Sequence, residues 1–301
     1  MEDPRASFTA LETAIYGKFS PPKQFSLKSS KILSKEWLGG KATVELREYL
    51  VSHGQTPQIL EVVLVTPSLM PKAPLIISQN FSPNRDVVSS EGVSLLAGKP
   101  RTMGPFGGLL KFGFGRHIVT PPLETIVDKG YGFVAMYPPS YVADNRSLGT
   151  NQLDIMFRDR LDRPGALSVW ASLTTALAEG LKSEQPNRQL FVYGHSRYGK
   201  TALLAAVYTD AVDGVISHQS GTAGASLMRD STGETLKDVV EGFPHWLSPT
   251  ASNYADNPRS LPSDSHALIA TIAPKSIFLG NARRDVWSDP VGAFQAGKWA
   301  S

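Results

Sequence analysis

One stretch constrains this chain more than any other: Gln189-Leu-Phe-Val-Tyr-Gly-His-Ser-Arg-Tyr-Gly-Lys-Thr-Ala-Leu-Leu-Ala-Ala206. Leu190 to Tyr193 is a short, almost wholly apolar run, the pattern of a strand buried on both faces. Thr201 to Val207 is rich in Ala and Leu, which are good helix formers. Between them lie Gly194, His195, Ser196, Arg197, Tyr198 and Gly199, so the stretch reads as strand, sharp turn, helix. The two glycines let the backbone turn back without clashing. Ser196 is then expected to stand clear of the sheet edge. The first turn of the helix points N–H groups at any oxyanion forming there.

Two chemistries fit such a turn. A serine at its tip is a nucleophile elbow, G-x-S-x-G, although here the second glycine comes one residue late. Gly194 to Thr201 also matches the phosphate loop G-x-x-x-x-G-K-T in full. That loop needs a Mg²⁺-binding acid at the end of another strand. The expected strand ends carry Asn80, Tyr137, Gln219 and Asn281 instead. The interior His-Ser-Arg-Tyr is also bulky, where N–H groups must approach a phosphate closely. The elbow is the better reading, with Ser196 as nucleophile.

The rest of the chain supplies what an elbow needs around it. Ala42–Val51, Ile59–Thr66, Leu75–Gln79, Tyr131–Tyr137, Asp213–Gln219 and Pro274–Asn281 read as further strands. Helices are expected at 121–128, from Pro164 to Lys182, and at Ser265–Ile272, with another starting near Gly292. Residues 1–40, 82–116 and 138–160 read as irregular or as long loops. Strands alternating with helices imply a mostly parallel sheet covered on both faces. With 301 residues and no linker or repeat, one domain spanning 1–301 is expected.

Composition removes other classes. The net charge is +3, without a basic block, which gives nucleic-acid binding no support. There is no cysteine, hence no disulfide or thiolate chemistry. No apolar run is long enough to span a membrane. Met1-Glu-Asp-Pro-Arg lacks the apolar segment of a signal peptide. No metal cluster, nucleotide site or cofactor is expected.

Several spaced motifs then share one resemblance. Gly194-His-Ser-Arg-Tyr-Gly-Lys-Thr-Ala-Leu203 is joined by Ser220-Gly221 with Gly224, Gly233-Glu234, Phe243-Pro-His-Trp246, and Leu261-Pro with Asp264 and His266. Ile272-Ala-Pro274 and Asn281-Ala-Arg-Arg-Asp285-Val-Trp287-Ser-Asp289-Pro290 follow. Upstream lie Tyr16-Gly17, Gly39-Gly-Lys-Ala-Thr43 and Asn80-Phe81. In this order they resemble the glucuronoyl esterases, carbohydrate esterase family fifteen, over nearly the whole chain. The resemblance implies an α/β-hydrolase, a three-layer sandwich with a mostly parallel central sheet. It implies a serine esterase acting on esters of 4-O-methylglucuronic acid, the glucuronoxylan–lignin linkage, that is secreted or periplasmic; a monomer is expected. Arg197 is similar to the family's oxyanion arginine. Lys200, Glu234 and Trp287 stand where the family contacts its sugar. The rival readings are an acetyl or feruloyl esterase, and a glucuronoxylan-binding homologue without activity.

The departures carry their own expectations. Many members place a glutamate where this chain has Gln219, which cannot bear a charge. Other members carry the acid in the Asn-Ala-x-x-Asp-x-Trp segment, so the resemblance implies Asp285 as the orienting acid, and a strand's carboxyl end is the usual place for one; Asp289 in a turn is the weaker candidate. Pro83 and Ala223 stand where the family has glycines. The chain has six histidines, and none follows Asp285. His195 abuts the serine without resembling the base, and His266 is expected to be structural. The closing strand, histidine loop and helix are therefore expected to lie beyond Ser301.

Overall fold

In the computed structural model, residues 3–88, 117, 121–158 and 160–301 are described. Most of the long loop expected at 82–116 lies outside them. The chain opens with α1 (Pro4–Leu11), continued by one π turn over Glu12–Tyr16. The Asp3 side chain accepts the Arg5 N–H, and Pro4 occupies the first turn, both ordinary helix-start chemistry. A strand, β1 (Gln24–Trp37), follows. Residues 1–40 are thus not irregular. Their serines and lysines conceal β1 because it is an edge strand, largely exposed and interrupted by three register shifts. Neither of its faces has to be apolar, and lysines on an edge discourage pairing with other chains.

The remaining strands are β2 (Ala42–Ser52), β3 (Gln58–Pro67), β4 (Leu75–Gln79), β5 (Gly132–Met136), β6 (Leu190–His195), β7 (Gly214–His218) and β8 (Ser276–Gly280). They form one sheet in the order β1-β2-β3-β5-β4-β6-β7-β8. From β5 to β8 every neighbouring pair is parallel. The β1-β2-β3 end is antiparallel, and β3 joins β5 antiparallel. The chain leaves β4 toward β5 and then returns past it to β6, so the direction of winding reverses there. Crevices outside strand carboxyl ends at such a reversal are where α/β sheets bind ligands. Phe81 and Ser196 follow these two strands.

The helices are α2 (Asn84–Val87), α3 (Leu123–Asp128), α4 (Arg146–Phe157), α5 (Ala166–Glu184), α6 (Arg197–Tyr208), α7 (Leu236–Gly242), α8 (Ser265–Ile272) and α9 (Pro290–Trp299). Strand alternation divides the apolar residues between two cores. Val62, Leu64, Val134, Met136, Leu190 and Val192 meet α5 and α6 on one face. Val63, Val65, Phe133 and Ala135 meet residues of α2 and α3 on the other. Among the described residues the second face is bare toward β8. There Ile76, Phe191, Ile216 and Phe278 line a groove of about 280 Å³, and Phe278 is 64% exposed.

Helix α4 corrects the expected loop at 138–160. Asn145 caps it, accepting the Ser147 and Leu148 N–H groups. It was hidden because it buries only Gly149 and Leu153, too few for a 3.6-residue stripe. Helix α5 is the opposite case, buried along most of its length. The Trp170 indole N–H on α5 donates to the Val142 carbonyl at 3.0 Å, tying the helix to the segment that leads into α4.

Candidate active site

Ser196 sits between β6 and α6 with φ 54° and ψ −124°. A positive φ at a residue with a Cβ is strained, and such strain is typical of a functional turn. The two glycines spare the turn a clash, as expected, while the positive φ belongs to Ser196. They permit close approach. A Cβ on Gly194 would run into the Tyr198 carbonyl, and one on Gly199 would lie 2.9 Å from the Ser220 Cβ. Gly194→Ala is therefore expected to push α6 off β6 and lower stability by about 1–3 kcal/mol, read as a shift in the urea midpoint. The Ser196 N–H donates to the His218 carbonyl at 2.8 Å, which carries the β6–β7 ladder through the turn.

Arg197 is held on several sides. Its Nη1 pairs with Asp144 Oδ2. Its guanidinium carbon lies 5.3 Å from the Phe81 ring centre and 4.9 Å from that of Trp246. Asp144 Oδ1 accepts from His245 Nε2 at 3.0 Å and Trp246 Nε1 at 2.8 Å. Burial alone would raise the Asp144 pKa. Its bonds to His245, Arg197 and Trp246 outweigh that and hold it at about 2.

Asp285, half-buried, lies just past β8. Its Oδ2 accepts the Gln219 side-chain N–H at 2.6 Å. The residue that stands in the glutamate's place thus binds the alternative acid directly. Asp289 is committed elsewhere. Its carboxylate caps α9 through the Gly292 N–H at 3.0 Å and accepts from the Thr232 hydroxyl at 2.7 Å.

Lys200, one turn into α6, is only 2% exposed. Its Nζ donates to the Thr222 carbonyl and lies 3.3 Å from Glu234 Oε2. Burial pulls its pKa down, and Glu234 opposes that. The Glu234 N–H donates to the Trp287 carbonyl at 2.9 Å, while the Trp287 side chain is 60% exposed. Ser196, Arg197, Lys200, Glu234, Asp285 and Trp287 thus gather at the carboxyl ends of β6, β7 and β8. Of the three expected sugar contacts, Trp287 alone is open to solvent. Lys200→Met should strand the buried Glu234 charge and cost on the order of 3–5 kcal/mol. Adding Glu234→Gln should return much of that loss in urea unfolding.

None of the six histidines is hydrogen-bonded to the Ser196 hydroxyl among the described residues. His53 is buried between the Tyr141 hydroxyl at 2.9 Å and the Ser172 hydroxyl at 2.8 Å. His245 serves Asp144, His266 packs edge-on against Trp299, and His117 is exposed. His195 and His218 face each other, Nδ1 to Nδ1, at 3.3 Å. Burial first, and then His218, push His195 down to about 4, against the pull of Asp285. Burial likewise brings His53 to about 4. Both values lie below the unfolded 6.5, so the unfolded chain takes up protons first. The stability these rings contribute, on the order of 3 kcal/mol each, is complete above about pH 6.5 and is lost as pH falls toward 4. Urea midpoints across that window should fall, and His53→Gln should flatten the decline.

Asp144 and the His195–His218 pair were not identified from the sequence. Asp144 lies in no motif. Phe243-Pro-His-Trp246 was noted, and it is the segment that grips Asp144. Among the described residues no group of acids and histidines could hold a metal. No helix there is long and apolar enough to cross a membrane.

A mostly parallel sheet with a strained strand-to-helix turn at Ser196, and an acid in the loop past β8, defines an α/β-hydrolase fold. Comparison narrows the class. The family model described as "Glucuronyl esterase, fungi" matches residues 126–300, more than half of the chain. The protein belongs to the glucuronoyl esterase family. It is 26% identical to carbohydrate esterase MZ0003, from an unknown prokaryotic organism, over 96% of this chain and 69% of that one. It is 25% identical to a 4-O-methyl-glucuronoyl methylesterase of Podospora anserina, over 70% of this chain but only 47% of the relative. The chain thus spans about half the length of that fungal relative. Among solved structures, a glucuronoyl esterase from Solibacter usitatus superposes with a TM-score of 0.83 at 24% identity, covering 100% of this chain and 79% of that one. A promiscuous CE15 esterase from a marine bacterial metagenome gives 0.82 at 24%, over 99% and 77%. These neighbours share the α/β-hydrolase fold.

Proposed function

We propose that the protein is a serine esterase that cleaves esters of 4-O-methylglucuronic acid through an acyl-enzyme. The observation that carries this reading is the strained Ser196 beside the clamped Arg197. Ser196 Oγ attacks the ester carbonyl and its proton passes to a base. The oxyanion is met by Arg197 and by first-turn N–H groups of α6, which helix geometry leaves without intrahelical partners. The alcohol departs with the proton, and water then releases the uronic acid. The exposed Trp287 ring suits stacking on a sugar face. The relatives' name supports the substrate, as does a solved Sporotrichum thermophile relative in complex with methyl 4-O-methyl-β-D-glucopyranuronate. Glucuronoxylan–lignin esters are the natural form we assign, met in the periplasm or outside the cell.

We assign the base to a histidine ring that docks against Asp285. Among the described residues none of the six histidines is hydrogen-bonded to the Ser196 hydroxyl, and Asp285 has no histidine hydrogen-bonded to it there. Asp285 would orient that ring. Hydrolysis of benzyl glucuronate, with acetylated xylan as the control, tests the reading. Turnover of acetyl xylan alone would replace it with an acetyl esterase. The same histidine placement favours a second reading, a glucuronoxylan-binding protein without turnover. Binding of aldouronic acids with no hydrolysis of any ester by the intact gene product would establish that one.

A further inference from the structure

Asp144 sits between the 3₁₀ turn at Pro138–Ser140 and α4, and its side chain is 14% exposed. Its Oδ1 receives two donors at once, the His245 and Trp246 ring N–H groups. That oxygen cannot turn away without losing both. The direction of Oδ2, and so of the Arg197 Nη1 bound to it, is thereby set by Phe243-Pro-His-Trp246. Trp246 acts twice, through its N–H on Asp144 and its ring face on Arg197. Phe81, just past β4, flanks the guanidinium as well. Helix α4 presses the assembly closed, since a Cβ on Gly149 would lie 3.0 Å from His245 Cδ2.

We propose that Asp144 is a positioning residue that aims the Arg197 guanidinium before substrate arrives. The proposal rests on the esterase reading of Ser196 and Arg197. Arginine is long and rotamer-rich, and a donor that has to be ordered during the reaction stabilises the oxyanion less. Asp144 orders it in advance. Among the described residues Asp144 is the sole hydrogen-bond acceptor for the guanidinium, which keeps other N–H groups for a reacting oxygen. The side chain remains 27% exposed for that purpose.

Asp144→Asn separates positioning from packing. Two donors converge on Oδ1, so the amide oxygen has to stay there. The amide NH₂ then faces Arg197 Nη1, donor against donor, and only the arginine is released. In the intact protein we expect Asp144→Asn to lower kcat on benzyl glucuronate about a hundredfold, with KM changed less than about threefold. Arg197→Ala should do the same, and the double variant should be no worse than Arg197→Ala alone. Guanidinium rotation at Arg197, followed by nitrogen NMR, should be slow in the wild type and fast in Asp144→Asn. Trp246→Phe keeps the ring and removes one donor to Oδ1, and should show intermediate kcat and rotation even if Asp144→Asn folds poorly. Losses that multiply in the double variant, or rotation unchanged in both single variants, would overturn the proposal. If the wild type hydrolyses no ester, the esterase reading falls, while the NMR arm still decides whether Asp144 holds Arg197.

Discussion

Replacing Ser196 by alanine is expected to abolish ester turnover, with a fall on the order of 10⁶ in kcat, as for nucleophile removal in a serine protease. Binding of glucuronic acid should survive. The substitution removes one oxygen from a half-buried turn and leaves Arg197, Asp285 and Trp287 in place. Alanine at φ 54° is no more strained than serine, so thermal unfolding should hardly move. Isothermal titration with an aldouronic acid, run beside the kinetics, separates the two effects. Turnover within tenfold of wild type would remove Ser196 from the mechanism.

Asp285→Asn is the second large effect expected. A base whose orienting acid becomes an amide adopts the wrong tautomer, which costs about 10⁴ in kcat in a serine protease. The 2.6 Å bond from Gln219 adds a constraint that the sequence did not reveal. Gln219→Glu alone would set a second carboxylate against Asp285, and the two would have to share a proton. In the double variant Gln219→Glu/Asp285→Asn the polarity is exchanged. One carboxylate and one amide remain in hydrogen-bond contact, with the charge now carried from β7. Part of the lost rate should return. A double variant as slow as Asp285→Asn would mean that the carboxylate must stand on the β8 side.

The legible parts of the sequence are those where burial imposes a period. Strands β2 to β8 were evident because both faces, or one, must be apolar. Strand β4 was read to the residue. Strand β1 was not, since an edge that buries little can be written in serine and lysine. Helix α4 failed for the same reason. The elbow was legible because close backbone approach demands glycine at 194 and 199. Asp144 was not, because its partners lie 53, 101 and 102 residues away along the chain. A contact of that kind leaves no local spacing. Gln219 was seen as a missing charge, whereas its donor role emerges only once β7 and β8 lie side by side.

Asp285 and Trp287 stand two residues apart on one loop, and the Trp287 carbonyl is tied to Glu234. On the proposed reading, a sugar settling on the indole would lean on the same few peptide units that carry the carboxylate proposed to orient the base. Fit and speed would then share one lever. Remodelling this rim to accept a bulkier sugar would retune the pace of the chemistry along with it, and a lineage could not adjust one without revisiting the other.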